Sequence, residues 1–332
     1  MPIHPDTNIG AVRLTVSDLA RSRDFYERAI GLWATERDDG TLALGADGEP
    51  PIVELTGDPT APPRPRRTTG LFHLAVLLPS RRDLAVALRR LADARVPLDG
   101  ASDHLVSEAL YLHDPDGNGI EIYRDRPRED WLQVDGSLEM ATLPLDLDDI
   151  LTVLPPASAK DAVVPAGTRM GHVHLQVSDL DEAEAFYAGV LGFDVTVKGY
   201  VGALFVSAGG YHHHIGLNTW ASLGAGAPPA GAIGLRTFDV VLPDAGELEH
   251  VLERASEAGI EPERSNGDVV LRDPSGNAVR LLSAGLRPVG SSPDGEHPGG
   301  WSVGQPRRHP ATPPAACRPR RQPPPRPAHA VH

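Results

Sequence analysis

Cysteine is almost missing from this chain. Among 332 residues the only one is Cys317. That excludes a disulfide framework, a cysteine zinc site and a cysteine nucleophile from everything before it, so any bound metal must be held by histidine and carboxylate. Long apolar runs are missing as well. None approaches the roughly 18 residues that span a bilayer, so no membrane segment is expected. Nor does the main body carry excess positive charge. The formal net charge is -14, while the stretch from Arg287 to His332 holds seven Arg against Asp294 and Glu296, a net of +5. The remainder is therefore -19 (-14 less 5), which repels phosphate backbones and argues against nucleic-acid binding. The opening MPIHPDTNIG has no basic-then-apolar leader pattern. A cytoplasmic protein is expected. The Pro/Arg-rich segment 286–332 lacks periodicity and is expected to be disordered.

What the sequence does contain is a repeat. VRLTVSDLARSRDFYERAIGL (Val12 to Leu32) returns as VHLQVSDLDEAEAFYAGVLGF (Val173 to Phe193). Weaker copies begin at Gly70 and Gly234, and these two end alike, in DPDGNGIEIY (Asp114 to Tyr123) and DPSGNAVRLL (Asp273 to Leu282). Within a copy, alternating apolar residues such as Val12, Leu14 and Val16 read as a strand. Ser17 or Asp18 then offers an N-cap oxygen to a helix that stops at Gly31. Short strands broken by Gly and Pro follow, and Asp114 closes a tight turn into the last one.

This order of one strand, one helix and several strands, repeated four times, resembles the vicinal oxygen chelate superfamily. The resemblance implies an α+β fold of four βαβββ modules that curl into two half-open barrels. The modules are residues 9–56, 70–124, 170–218 and 233–283. They divide the chain into a first region (1–124), a connecting arm (125–169), a second region (170–285) and the tail.

Aligning the first strands of the modules brings Arg13, His73, His174 and Thr237 to one position. The last strands bring Glu54, Glu121, Gly216 and Arg280 to another. Arg and Thr are poor ligands for a divalent metal. Two His and one carboxylate form the facial set of non-haem Fe(II) oxygenases, and His73, Glu121 and His174 supply it. Mn(II) accepts the same set. His172 is a rival to His174, two residues away on the same strand face. The three ligands converge only if module two pairs with three and module one with four, and that nested pairing is the expectation.

The run HLVSEALYLHDPDGNGIEIY sharpens the resemblance. His104, Leu110-Tyr111, Asp114-Pro115, Gly117 and Glu121 match the signature of extradiol ring-cleavage dioxygenases, with Ser102 as one departure from it. VSEALYL, GNGIEIY and GGYHHHIGLN look most like CatE-type catechol 2,3-dioxygenases of bacteria. The resemblance implies that His214, preferred to His213, is the acid/base histidine. It implies that His104 and Tyr111 hydrogen-bond the substrate oxygens. The partners would be a small aromatic diol and O₂, and a homo-oligomer is left open. The alternatives are a glyoxalase-type lyase or isomerase, and a metal-free binding protein of the same fold.

Overall fold

The computed structural model describes residues 1–134, 137–158, 162–265 and 267–284. The expected disordered tail lies outside these. Module one runs through β1 (Asn8–Val16), α1 (Leu19–Phe25), β2 (Trp33–Glu36), β3 (Leu42–Gly45) and β4 (Val53–Gly57). Module two comprises β5 (Gly70–Leu77), α2 (Arg81–Asp93), β6 (Gly100–Asp103), β7 (Ser107–His113) and β8 (Gly119–Asp125). The arm carries the short strands β9 (Gln133–Val134), β10 (Ser137–Leu138) and β11 (Leu143–Pro144), then α3 (Leu147–Leu151). Module three has β12 (Arg169–Gln176), α4 (Leu180–Glu184), β13 (Asp194–Lys198), β14 (Ala203–Ser207) and β15 (Ile215–Asn218). Module four has β16 (Gly234–Leu242), α5 (Ala245–Glu257), β17 (Glu263–Ser265), β18 (Asp268–Arg272) and β19 (Ala278–Ser283).

The strands form two large mixed sheets, as the α+β reading expects. One has the order β17-β18-β19-β16-β1-β4-β3-β2 and the other β11-β6-β7-β8-β5-β12-β15-β14-β13. Each large sheet thus draws one module from either side of the arm. Module one joins module four through antiparallel β1 and β16, and module two joins module three through antiparallel β5 and β12. This is the nested arrangement that the ligand distribution called for.

Local chemistry explains why the modules repeat so faithfully. Each principal helix begins at a polar cap whose side chain accepts a backbone N–H: Asp18, Ser80, Asp179 and Asp244. In modules one and three the helix ends in a widened turn, Tyr26–Ile30 and Ala185–Val190. The buried tyrosine of that turn reaches the next module. Tyr26 donates its hydroxyl to Asp114 at 3.2 Å, and Tyr187 donates to Asp273 at 2.9 Å. Each of these aspartates also accepts from two groups of the Asn four residues on, so it closes its turn as expected. Sheets therefore bind module one to four, while side chains clasp module one to two and three to four.

In the sheet of modules one and four, the positions equivalent to the predicted ligands hold ion pairs. Arg13 contacts Glu54 at 2.8 Å and Asp239 at 2.5 Å, and Arg280 contacts Asp239 at 2.8 Å. The Asp239 side chain is only 3% exposed. Replacing it with asparagine leaves two largely buried guanidiniums short of a charge. Glu54 and Asp268 still give each arginine one partner, at 2.8 and 2.9 Å. The loss from Asp239→Asn is therefore expected at the low end for breaking a buried pair, about 3 kcal/mol, read from the urea midpoint.

Candidate metal centre and active site

The second sheet brings together the chemistry. In β5 and β12, His73 lies directly opposite His174, and Ala75 lies opposite His172. On the other side of β5, Glu121 of β8 is level with Ala75. Directly opposed residues share a face, so all these side chains project to one side. Ala75 is the spacer. His172 and Glu121 flank it across the sheet, and its methyl group is too small to separate them. An extra residue in β12, Gly171, lies between the Met170 and His172 pairings and sets this register. A Cβ at 171 would collide with the Tyr123 hydroxyl, so only glycine fits.

The result is a compact donor set. His73 Nε2 lies 3.0 Å from Glu121 Oε2, His172 Nε2 lies 3.1 Å from the same oxygen, and the two ring nitrogens are 3.3 Å apart. All three residues are buried. A metal bonded at about 2.1 Å to ligands at right angles holds them about 3.0 Å from one another. The three separations therefore fit one face of an octahedron. Among the described residues this is the one group of its kind. Charge agrees with geometry. Burial holds His73 below its ordinary value, hence neutral. Burial alone would raise Glu121, but His172 and His73 outweigh it and keep the carboxyl well below the usual range. One carboxylate and neutral imidazole are the states in which these groups ligate.

His174, expected in the set, stands beside it. Its ring is 4.9 Å from that of His73, and its Nε2 is buried without a hydrogen-bond partner. Burial and the neighbouring imidazoles hold it neutral. Gly216, level with His174, is where a fourth carboxylate would stand. A Cβ there would lie 2.9 Å from the His174 ring, so the position has no room for one. The helix caps carry the signal that points to His172. His73 precedes the Ser80 cap by seven residues and His172 precedes the Asp179 cap by seven, whereas His174 precedes it by five. Counting from the caps pairs His73 with His172. Aligning the strand text F-H-L-A-V on V-H-L-Q-V pairs it with His174.

A cavity of about 270 Å³ opens over the donor set. Its walls include Phe72, Phe205 and Trp220, and its polar lining includes His104, Tyr111 and Thr142. His104 Nδ1 is 2.7 Å from the Ala141 carbonyl, which only accepts, so Nδ1 carries the hydrogen. Its Nε2 then accepts from the Tyr111 hydroxyl at 2.7 Å. Burial, then the Glu121 charge, raises Tyr111 well above the ordinary phenol and keeps it protonated. Met140, Ala141 and Thr142 come from the arm, which borders the cavity and adds β11 to β6. Nothing in the sequence of the arm marked it as part of a site.

The histidine triplet divides. His213 lines the cavity, with its ring 4.1 Å from that of His172. Its Nδ1 lies 2.8 Å from His212 Nδ1, and His212 Nε2 lies 2.9 Å from Asp125 Oδ1. With the Asp125 carboxylate accepting from His212 Nε2–H, His212 Nδ1 is left to accept from His213 Nδ1–H. The Nε2 of His213 is then bare. Burial and the neighbouring imidazoles hold His213 well below an ordinary histidine. His214, expected to be the acid/base group, lines a different cavity. Its Nδ1 accepts the Ala208 N–H at 3.1 Å, and burial lowers it to about 3. Strand alternation would put His214 on the same face as Gly216. The strand does not begin until Ile215, however, and the chain before it is irregular.

Known proteins agree with this architecture. The family model described as Glyoxalase/Bleomycin resistance protein/Dioxygenase superfamily matches residues 8–122 and 169–281. The chain belongs to this superfamily. It is 46% identical over 280 residues to the catechol-2,3-dioxygenase of Bacillus subtilis (strain 168), covering 83% of this chain and 97% of that protein. Biphenyl-2,3-diol 1,2-dioxygenase 3 of Rhodococcus globerulus is 30% identical over 114 residues, which is 34% of this chain and 60% of that one. In fold alone, the chain is similar to glyoxalase I from Zea mays, with a TM-score of 0.52 at 15% identity over 84% of this chain and 92% of that chain. The expectation of a catechol 2,3-dioxygenase-like oxidoreductase in this superfamily stands. No helix among the described residues is long and apolar enough to cross a membrane.

Proposed function

We propose that this enzyme is an extradiol dioxygenase that opens a single-ring catechol with O₂, using Fe(II) held by His73, Glu121 and His172. The observation that carries the reading is the buried His–His–Glu face beneath an aromatic-walled cavity. Mn(II) would occupy the same donors. A divalent metal supplies the electron transfer between an aromatic diol and O₂ that side chains alone cannot. The cavity falls just below the roughly 300–1,000 Å³ of sites for drug-sized ligands, which suits one ring rather than two.

The chain's own groups do the rest. Phe72, Phe205 and Trp220 hold the ring and exclude water. The bare Nε2 of His213 accepts a proton from one substrate hydroxyl and later returns it. Tyr111, its hydrogen already donated to His104 Nε2, presents its oxygen to accept from a substrate hydroxyl and so orients the diol. The ring carbon–carbon bond beside the two hydroxyls breaks, and both oxygen atoms enter a 2-hydroxymuconic semialdehyde-type product, so no external reductant is needed. The glyoxalase-type alternative relies on a further carboxylate, for which Gly216 leaves no space.

The test is anaerobic loading with Fe(II), followed by catechol and air. A yellow product with one O₂ consumed per product formed is expected. Absence of O₂ uptake across a catechol panel, with iron confirmed at one per chain, overturns the reading. Glu121→Gln removes the only negative ligand and is expected to abolish uptake along with metal retention.

A further inference from the structure

A second cavity, about 110 Å³, is built from different materials. It is lined by Thr7, Arg128, Arg169, Tyr211 and His214, among others, and among the described residues no carboxylate lines it. In a chain of net charge -14 that is an unusual composition. Its hydrogen-bonding groups are mostly donors. Because the Ala208 N–H donates to His214 Nδ1, the one hydrogen of the neutral ring sits on Nε2, and no described residue accepts it. His214 itself is 6% exposed. The Thr7 hydroxyl, in a residue 1% exposed, also lacks a partner. The Arg169 guanidinium makes no hydrogen bond or ion pair within the described residues. Arg128 reaches only the Gly209 carbonyl, at 3.4 Å, while its guanidinium lies over the Trp131 ring. Both arginines also depress the His214 ring's affinity for a second proton.

Two guanidiniums, an imidazole N–H and a buried hydroxyl therefore line one cavity, and the long contact to the Gly209 carbonyl is the one acceptor that any of them meets among the described residues. We infer that this cavity is a binding site for a small oxyanion of the phosphate class. Guanidinium forks give charge-assisted pairs to such oxygens, and the neutral imidazole and the hydroxyl complete the donor set. The site is joined to the active centre. Tyr211, in its wall, donates to Asp125 at 3.0 Å, and Asp125 holds the His212–His213 pair.

Inorganic phosphate is the probe, titrated into the full-length protein at constant ionic strength set with potassium chloride. A ligand that binds only the folded state raises the melting temperature. A saturable rise is expected, with one phosphate per chain by calorimetric titration. Arg169→Met and Arg128→Met are each expected to weaken apparent affinity about tenfold, measured against the same variant without phosphate. Both residues are exposed, and Arg169→Lys keeps the charge as a second variant, with a smaller loss. No saturable effect in the unaltered chain overturns the inference. So does an equal, saturable response in the unaltered chain and both methionine variants, because the anion would then bind elsewhere. Neither result bears on ring cleavage, which is read separately by O₂ uptake.

Discussion

Alanine at His172 is expected to strip the protein of its metal, and alanine at His174 is not. His172→Ala removes one of three donors spaced 3.0 to 3.3 Å apart. Loss of groups that merely support a ligand costs about 10- to 100-fold in metal affinity, so loss of the ligand itself is expected to cost at least about a hundredfold. After dialysis against metal-free buffer, His172→Ala should retain almost no iron by elemental analysis. His174→Ala should retain close to one per chain. Its ring packs against Phe72, Phe205 and Trp220, so the variant is expected to change KM through the cavity wall instead. The reverse pattern would restore the ligand set read from the repeat alignment.

The second large effect is at His213. His213→Ala removes the proposed proton acceptor while leaving all three donors of the set in the chain. Positioned general acid–base groups contribute about 10²- to 10⁴-fold, and a fall of that size in kcat with unchanged iron content is expected. His214→Gln is expected to fall well short of it, since that ring lines the other cavity. Asp125→Asn tests the chain behind His213. The amide can present an N–H to His212 Nε2, which would invert the tautomers of both histidines and leave a hydrogen on the nitrogen that must accept a proton. A fall of about tenfold or more in kcat with little change in KM is expected, with recovery in Asp125→Glu. A loss shared equally by Asn and Glu at 125 would mark a purely structural role.

Much of this is legible in the sequence. The fourfold repeat announces the modules. His73 and Glu121 stand out because they are polar residues in strands that are otherwise apolar. Even the nested sheets follow from asking which pairing lets the ligands meet. What was not legible depends on register. His172 and His174 share a strand face, and it is the level of Glu121, opposite Ala75, that favours His172 in the proposed set. His213 and His214 lie in a segment that has not yet adopted strand alternation. The arm's contribution at Met140–Thr142 comes from a long connection, and its sequence pattern does not say which edge it will cover.

The partnership of the first and last modules has a consequence for how the chain is made. Arg13 meets Asp239 across a separation of 226 residues. At a synthesis rate of about 5–20 residues per second, that partner follows roughly 10–45 s later. Modules two and three can complete their shared sheet in the interval, while the open flank of β1 waits on the ribosome without its neighbour. The half of the molecule that carries the proposed metal ligands is thus positioned to form first. The half without them closes last, and until then it presents an unpaired strand edge to every other nascent copy.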